Sequence, residues 1–383
     1  MEIKTVGECF YQIRNGANIK QGIFGGGYPI TRIETIANDK FNRDRMGYAG
    51  ITDLEKYQSY VLEDGDLLMS HINSVQYLGR TVLYEKQDDE QIIHGMNLLS
   101  LKADKSIILP SYARYFFYTR SFREQLGAIT KKSVNQASFS VADLKKIRIL
   151  VPSIDEQKSI AKVLDTMKNV IALRQQELQK LDELVKARFV EMFGEPLINT
   201  KGWGTRPIVE VAPIKPLHGN LSDKVWLLNL DAIESQTGNV LFKQRVRSAE
   251  INASTVYFTT ENILYSKLRP YLNKVVMPDE DGIATSELIP MCPQADKLDR
   301  TYLCYWLRSD AFVKHISEKV AGAKMPRVSM DYFRTMSIEL PPIKLQEQFA
   351  SFVEQADRSK AVVQKSVDKA QLLFDSLMQE YFG

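Results

Sequence analysis

The sequence has few of the residues that metal binding, redox chemistry or covalent cross-linking would use. Its three cysteines, Cys9, Cys292 and Cys304, are scattered and odd in number. They give neither a disulfide framework nor a metal spacing, and they suit a reducing cytoplasm. The four histidines, His71, His94, His218 and His315, stand apart without ligand spacing. No GxxxxGK[ST] phosphate loop occurs, nor an Asn/Asp-Pro-Pro-aromatic tetrapeptide of the kind that marks an amino-methylating site. The stretch "GIFGGGYP" at 22–29 has the glycines of a cofactor loop. It lacks the strand–turn–helix context and an acidic residue about 20 positions on, so it reads as a flexible loop. Apolar runs are too short to span a bilayer. "EIKTVGECF" after Met1 has neither the basic nor the apolar region of a secretory signal. Basic and acidic residues nearly balance, 50 against 47, so the net value is only +3. Bulk charge therefore neither demands nor excludes a polyanionic partner, and any basic face must be local. The absences predict a chain without catalysis of its own, without a cofactor and without a membrane.

What is present is a repeat. The 383 residues exceed one typical core and predict two or more domains. Shifted by 189 residues, Ile149–Gly194 aligns without a gap on Ile338–Gly383, with 12 of 46 positions identical. The identities include Pro152/Pro341, Gln157/Gln346, Ala161/Ala350 and Phe193/Phe382, and "EMFG" falls on "EYFG". Upstream, "YARYFFYTRSF" (112–122) matches "YLCYWLRSDAF" (302–312) at a shift of 190, and "DLLMSHINS" (66–74) matches "NILYSKLRP" (262–270) at a shift of 196. The order is domain, helix, domain, helix, with the second copy ending at the C-terminus.

Each repeated segment reads as one long helix. Pro152 and Pro341-Pro342 mark the starts, and no Pro or Gly follows until Gly194 and Gly383. The ladder 160, 164, 167, 171, 174, 178, 181, 185, 188, 192 is apolar at 8 of 10 positions. The same ladder 189 residues later is apolar at 9 of 10. A 3.5-residue period held this long predicts a coiled coil rather than two unrelated amphipathic helices. Each helix would be roughly 57 Å long at 1.5 Å per residue. A pseudo-twofold relation between the halves requires antiparallel helices and a C-terminus returning toward Met1.

The globular halves are mixed. β-like runs "YVLEDGDLLMS", "RTVLYE" and "NLLSLKA" in the first correspond to "VWLLNL", "ENILYSKL" and "SELIPMC" in the second. Each half carries one aromatic-rich helix, "SYARYFFYTRSF" or "TYLCYWLRSDAF", whose rings at helical spacing predict core rather than a base-stacking platform. The predicted class is α+β, a pseudo-twofold, nearly circular repeat. Two mixed α/β domains, 1–150 and 197–340, are separated by an antiparallel two-helix coiled coil of 151–196 and 341–383.

Two domains, each followed by a long helix opened by "VPSIDEQKSIA" or "LPPIKLQEQFA", resemble the DNA-specificity subunit of type I restriction–modification systems over essentially the whole chain. "GDLLMSHIN", "NILYSKLRPYLNKVV" and "AKMPRVSMDYF" look like stretches of that family's target recognition domains. The first helix start has Val151-Pro152 where the family more often has a double proline, a minor departure. The resemblance implies a non-catalytic, cytoplasmic subunit whose two target recognition domains each read one half of a split, asymmetric site in double-stranded DNA. It implies docking of two methylation subunits on the helices, with restriction subunits joining; methyl donor and ATP belong to those partners. Major-groove readers one helical turn apart need centres about 34–36 Å apart, within reach of such rods.

Phosphate contacts call for Lys and Arg, and base-edge contacts for Arg, Asn, Gln, Ser and His. The candidates in the first domain are Arg43, Arg45, His71, Asn73, Lys131, Lys132, Asn135 and Gln136. In the second they are His218, Asn220, Arg245, Arg247, Lys267, Arg269, Lys324 and Arg327. The loops before the helices differ, "KKSVNQAS" against "GAKMPRVS", which predicts different half-sites. Two other readings stay open. One is a coiled-coil structural adaptor without DNA binding. The other is a lone nuclease or methyltransferase, for which "EIK" at 2–4 is the one weak sign.

Overall fold

The computed structural model describes residues 2–23, 25–134, 136–218, 223–247, 255–321 and 325–383. The chain divides into two units, Met1–Leu173 with Ser366–Gly383, and Arg174–Lys365.

The first unit opens with β1 (Glu2–Thr5), α1 (Val6–Cys9) and β2 (Phe10–Asn15). After a long excursion come β3 (Leu67–Ser70), β4 (Ile72–Asn73), β5 (Thr81–Leu83) and β6 (Leu98–Ala103). Then follow α2 (Pro110–Phe116), α3 (Arg120–Ile129), β7 (Lys131–Lys132), β8 (Ala137–Ser138), α4 (Val141–Leu144) and β9 (Arg148–Val151). β2-β6-β3-β5 form one sheet, β4-β8-β7 a small second one, and β1 pairs with β9. All six residues of β6 and all four of β3 are buried, as expected for central strands covered on both faces. The chain leaves this unit through α5 (Ile154–Phe193).

The second unit continues with β10 (Thr205–Pro207), α6 (Ile208–Val211), β11 (Lys224–Leu228), β12 (Gln244–Arg247) and β13 (Thr255–Phe258). Next are β14 (Ile263–Ser266), β15 (Val275–Val276), β16 (Gly282–Thr285) and β17 (Leu288–Met291). The unit closes with α7 (Arg300–Arg308), α8 (Asp310–Ser317), β18 (Val320–Ala321), β19 (Arg327–Val328), α9 (Met330–Thr335), β20 (Ser337–Glu339) and the start of α10 (Ile343–Phe382). Its sheets are β12-β11-β16-β13, β15-β14-β17, and the pairs β18-β19 and β10-β20.

The aromatic segments are not single helices. Thr119 accepts from Phe122 N at 3.1 Å and starts α3; Ser309 accepts from Phe312 N at 3.2 Å and starts α8. A hydroxyl that satisfies an otherwise orphaned amide begins a new helix and so ends the old one. The rings themselves are core: Tyr112, Tyr115, Phe116 and Phe117 are buried, as are Tyr302 and Trp306.

Both long helices are 40 residues without a break. α5 begins at a capping box, where Glu156 Oε2 accepts from Ser153 N at 2.9 Å and from Ser153 Oγ at 2.7 Å. It ends at Gly194, whose φ of +82° is the left-handed turn a helix stop requires. The predicted ladder is the inner face. Every rung of α5 except Arg174 is buried or half-buried, and so is every rung of α10, including Lys360.

Direction follows from contacts within each unit. In the first, Tyr112 packs on Phe382 and bonds Leu150 O, while Tyr115 packs on Phe374 and bonds Asp165. Moving up α5 therefore moves down α10. In the second, Phe193 lies 5.5 Å from Phe349, and Asp182 pairs with Lys360 at 2.6 Å. The segments are antiparallel there too.

The repeated residues perform repeated tasks. Gln157 accepts from Leu109 N at 2.8 Å and donates to Ile107 O and Pro152 O, each at 2.9 Å. Gln346 accepts from Asp299 N at 2.9 Å and donates to Lys297 O at 3.1 Å and Pro341 O at 2.8 Å. Each fully buried amide thus ties the start of a long helix to the residue that caps the unit's aromatic helix. Tyr112 and Tyr302 both donate to the strand before the proline, at Leu150 O and Glu339 O, each 2.9 Å. Phe193 packs 4.8 Å from Tyr302, and Phe382 packs 5.0 Å from Tyr112. "FG" therefore closes each copy because its phenylalanine plugs the aromatic helix of the unit where that long helix ends. Burial of each ring is worth about 1.5–3 kcal/mol.

Candidate nucleic-acid interface

In the first unit, β3 ends at Ser70 and the chain runs through His71 into β4. β4 pairs Ile72 with Ser138 and Asn73 with Ala137, and β8 in turn pairs with β7 at Lys131 and Lys132. The fold thus gathers five predicted residues, His71, Asn73, Lys131, Lys132 and Gln136, onto one small sheet and its hairpin. Ser133 closes that hairpin through N and Oγ to Gln136 O, at 2.8 and 2.9 Å. Lys131 and Lys132 are exposed and make no ion pair among the described residues. Val134, fully exposed, stands at the tip; Asn135 lies outside the described residues.

The members differ in availability. His71 is 6% exposed and lies edge-on to Phe139, with ring centroids 6.3 Å apart. Burial pushes its pKa down, so the ring is neutral at pH 7 and no phosphate cation. Asn73 shapes the turn, donating to Ser70 Oγ at 3.2 Å and accepting from Ser74 N at 2.8 Å. Arg43 and Arg45 lie elsewhere, on the 3-10 turn Arg43–Arg45. Arg43 forks onto Glu90, with contacts of 2.9 and 2.5 Å, and also donates to Glu85 O. That fork, with donors from Gln87 N and Tyr84, holds the Glu90 carboxyl down to about 2. Arg45 is exposed and makes no ion pair among the described residues.

The second unit repeats the arrangement. β14 ends at Ser266, followed by Lys267, Leu268 and Arg269. Leu268 bridges Arg327, Val328 N donates to Lys267 O at 2.9 Å, and Arg269 N donates to Pro326 O at 2.8 Å. β18 and β19 form the neighbouring hairpin, with Ala321 opposite Arg327. Lys267, Arg269 and Arg327 are therefore together; Lys324 lies outside the described residues. Arg327 is forked onto Glu287 at 3.2 and 2.7 Å. Arg269 is exposed, and its side chain has no partner among the described residues.

A second group sits on the larger sheet. Arg245 and Arg247 lie on β12, opposite Trp226 and Lys224 of β11. Arg245 forks onto Glu280 at 2.6 and 3.0 Å. His218 packs on Tyr257 with centroids 4.4 Å apart. Asn220 lies outside the described residues. Lys243, which sequence reasoning did not select, lies 4.6 Å over Trp226 and pairs with Asp279 at 2.7 Å and Glu280 at 3.0 Å. Basic character with no nearby acidic residue in sequence was its one available signal.

Among the described residues, no group of His, Cys, Asp and Glu is arranged to hold a metal ion, and no helix is long and apolar enough to cross a membrane. The chemistry on offer among the described residues is that of surfaces: unpaired cations, donors and acceptors on short hairpins.

Comparison with known proteins agrees with that character. The type I restriction modification DNA specificity domain matches residues 1–183. The type I restriction enzyme MjaX specificity subunit of Methanocaldococcus jannaschii is 28% identical over 374 residues, covering 93% of this chain and 86% of that protein. The EcoDI specificity subunit of Escherichia coli is 23% identical over 274 residues, covering 62% and 61%. Among solved structures, the type I restriction–modification S subunit from M. genitalium superposes with a TM-score of 0.61 at 13% identity, covering 100% of this chain and 96% of that one. A chain from a structure addressing complex assembly and conformational transition of a type I system gives 0.59 at 15% identity, covering 99% and 96%. These two likenesses show the fold. Residues 1–183 thus match a type I restriction modification DNA specificity domain, and over most of its length the chain is similar to a type I restriction enzyme specificity subunit.

Proposed function

We propose that this subunit reads a bipartite, asymmetric site in double-stranded DNA, one half by residues 1–150 and the other by residues 197–340. The reading is supported above all by one observation. The two units repeat their helix-junction bonds residue for residue, yet carry different side chains on the matching hairpins. A duplicated frame with unlike reading surfaces fits a target with two unlike halves. The phosphate backbone would be met by Lys131, Lys132, Lys267 and Arg45, and bases by side chains of the hairpin sheets. The forks on Arg43, Arg245 and Arg327 would have to open before those residues could bind DNA.

The long helices set the gap between half-sites and dock the partners, two methylation subunits with restriction subunits joining the complex. The support is a stripe of apolar residues outside the ladder. Leu173 and its repeat partner Val362 are 64% and 70% exposed; Leu184 and Leu373 are 51% and 50%. Large apolar side chains exposed at matching positions of both copies mark a repeated contact surface. S-adenosylmethionine and ATP would bind those partners.

The test is selection from a randomised duplex library by the full chain co-purified with its methylation subunits. The expected product is two defined elements with a fixed gap; one continuous element refutes the reading. Binding should also fall steeply with salt as counterions are released. A salt-independent complex with protein alone would favour the structural adaptor.

A further inference from the structure

Arg269 is strained, exposed and unpaired among the described residues, and its counterpart in the first unit is different. Its φ of +50° and ψ of 63° place a long side chain in the left-handed region. That region crowds the Cβ of an L-residue, and only Gly, Asn or Asp enters it readily. Pro270 follows it and is buried, and a residue before proline is steered toward extended backbone as well. The conformation is nevertheless held on both sides. Arg269 N donates to Pro326 O, and Arg269 O accepts from Leu272 N at 2.9 Å. Glycine would satisfy this backbone without strain.

Among the described residues, nothing in the frame uses the arginine side chain. The cation beside it, Arg327, is neutralised by Glu287. Three residues beyond the equivalent serine in the first unit stands Asn73, whose amide is consumed in its own turn. The position therefore belongs to what differs between the units, beside a hairpin in each case. A fixed backbone carrying a free guanidinium suits the planar, two-pronged donor that matches guanine O6 and N7 in the major groove.

Building on the bipartite reading above, we infer that Arg269 is a specificity-determining residue of the second half-site and reads one guanine there. Lys267 beside it contacts phosphate and carries no base preference.

Arg269→Gly separates this role from a structural one. It relieves backbone strain, so thermal stability should hold or rise, whereas a structural arginine would lose stability on removal. With full chain and methylation subunits, selection from a randomised duplex library should return the wild-type motif with one G·C pair degenerate. Affinity for the wild-type site should fall about 10- to 100-fold, the range of one bidentate base contact. Arg269→Lys should not restore discrimination. Lys267→Ala should leave every base preference intact and weaken binding uniformly. Independently of any variant, N7-methylation of a single guanine in the second half-site should block binding by the wild-type complex. An unchanged motif with Arg269→Gly, or no guanine sensitive to N7-methylation in that half-site, overturns the inference while leaving the bipartite reading intact. A wild-type complex that selects no split motif overturns both.

Discussion

Residues 16–66 of the first unit hold 3-10 turns and single-residue bridges such as Gly22 with Tyr48 and Ile30 with Gly47. The corresponding stretch of the second unit supplies β11, β12 and β13 to a four-stranded sheet completed by β16. The junctions behave in the opposite way. Gln157 and Gln346, Tyr112 and Tyr302, Phe382 and Phe193 make the same bonds and ring contacts, one for one. Duplication has kept the seam where each helix meets its unit and released the outer excursions. The proposed reading of two unlike half-sites requires this pattern: like junctions and unlike outer surfaces.

The comparison breaks first at the plugs. Phe382→Ala removes a ring 8% exposed in the first unit, and Phe193→Ala one 4% exposed in the second. Each should cost about 3–5 kcal/mol. All three tryptophans, Trp203, Trp226 and Trp306, lie in the second unit. Chemical denaturation followed by tryptophan fluorescence should therefore report Phe193→Ala directly, while circular dichroism reports both. Unequal losses of more than about 2 kcal/mol would show that the plugs are not equivalent.

Next come the amides. Gln157→Ala and Gln346→Ala each strand one backbone N–H and two carbonyls, for about 3 kcal/mol, since each orphaned group costs about 1–3. Glu in place of either Gln should not rescue, because a carboxylate cannot donate to the two carbonyls. A loss below about 1 kcal/mol would mean that water replaces the amide.

Acid should sharpen the contrast. Burial in the first unit holds His94 down to about 3 and pushes His71 down as well. A histidine with depressed pKa contributes stability that is present above its unfolded value near 6.5 and lost as pH falls below it. His94 alone should withdraw about 1.4 kcal/mol per pH unit. Neither histidine of the second unit is buried. Between pH 6 and 4.5, ellipticity should fall before tryptophan fluorescence changes. The reverse order would contradict the assignment.

The smallest effect is expected where the ladders differ. Lys360 occupies the rung held by Ile171 in the first helix, and pairs with Asp182 at 2.6 Å and Asp357 at 3.1 Å. A paired, partly buried cation gains little over an apolar side chain of similar size. Lys360→Ile should therefore raise stability by no more than about 1 kcal/mol, measured by urea unfolding. A loss of several kcal/mol would make the ion pair a structural requirement.

The helices were legible in the sequence because prolines, an unbroken 3.5-residue period and a 189-residue shift are local or self-referential signals. The runs "DGDLLMS", "RTVLYE" and "NLLSLKA" likewise contain β3, β5 and β6. Legibility stopped where partners are distant in sequence. Arg43 meets Glu90, Arg245 meets Glu280 and Arg327 meets Glu287, each tens of residues away. These cations look free in a sequence and are engaged in the fold. Gln157 looks like a solvated residue in a first helical turn, yet its bonds reach 48 and 50 residues back. The single aromatic helix became two because a threonine or serine cap competes with continuation, and the rings on both sides disguise it. His71 sits in a polar stretch but is enclosed by the chain's return at Phe139.

The most direct test of the whole account is the map of methylated bases in cells carrying this chain with its methylation and restriction subunits. The account predicts one motif made of two unlike defined parts, separated by unspecified bases of constant number, with methylation in both parts. A single uninterrupted motif, or a palindrome of two identical parts, would contradict it.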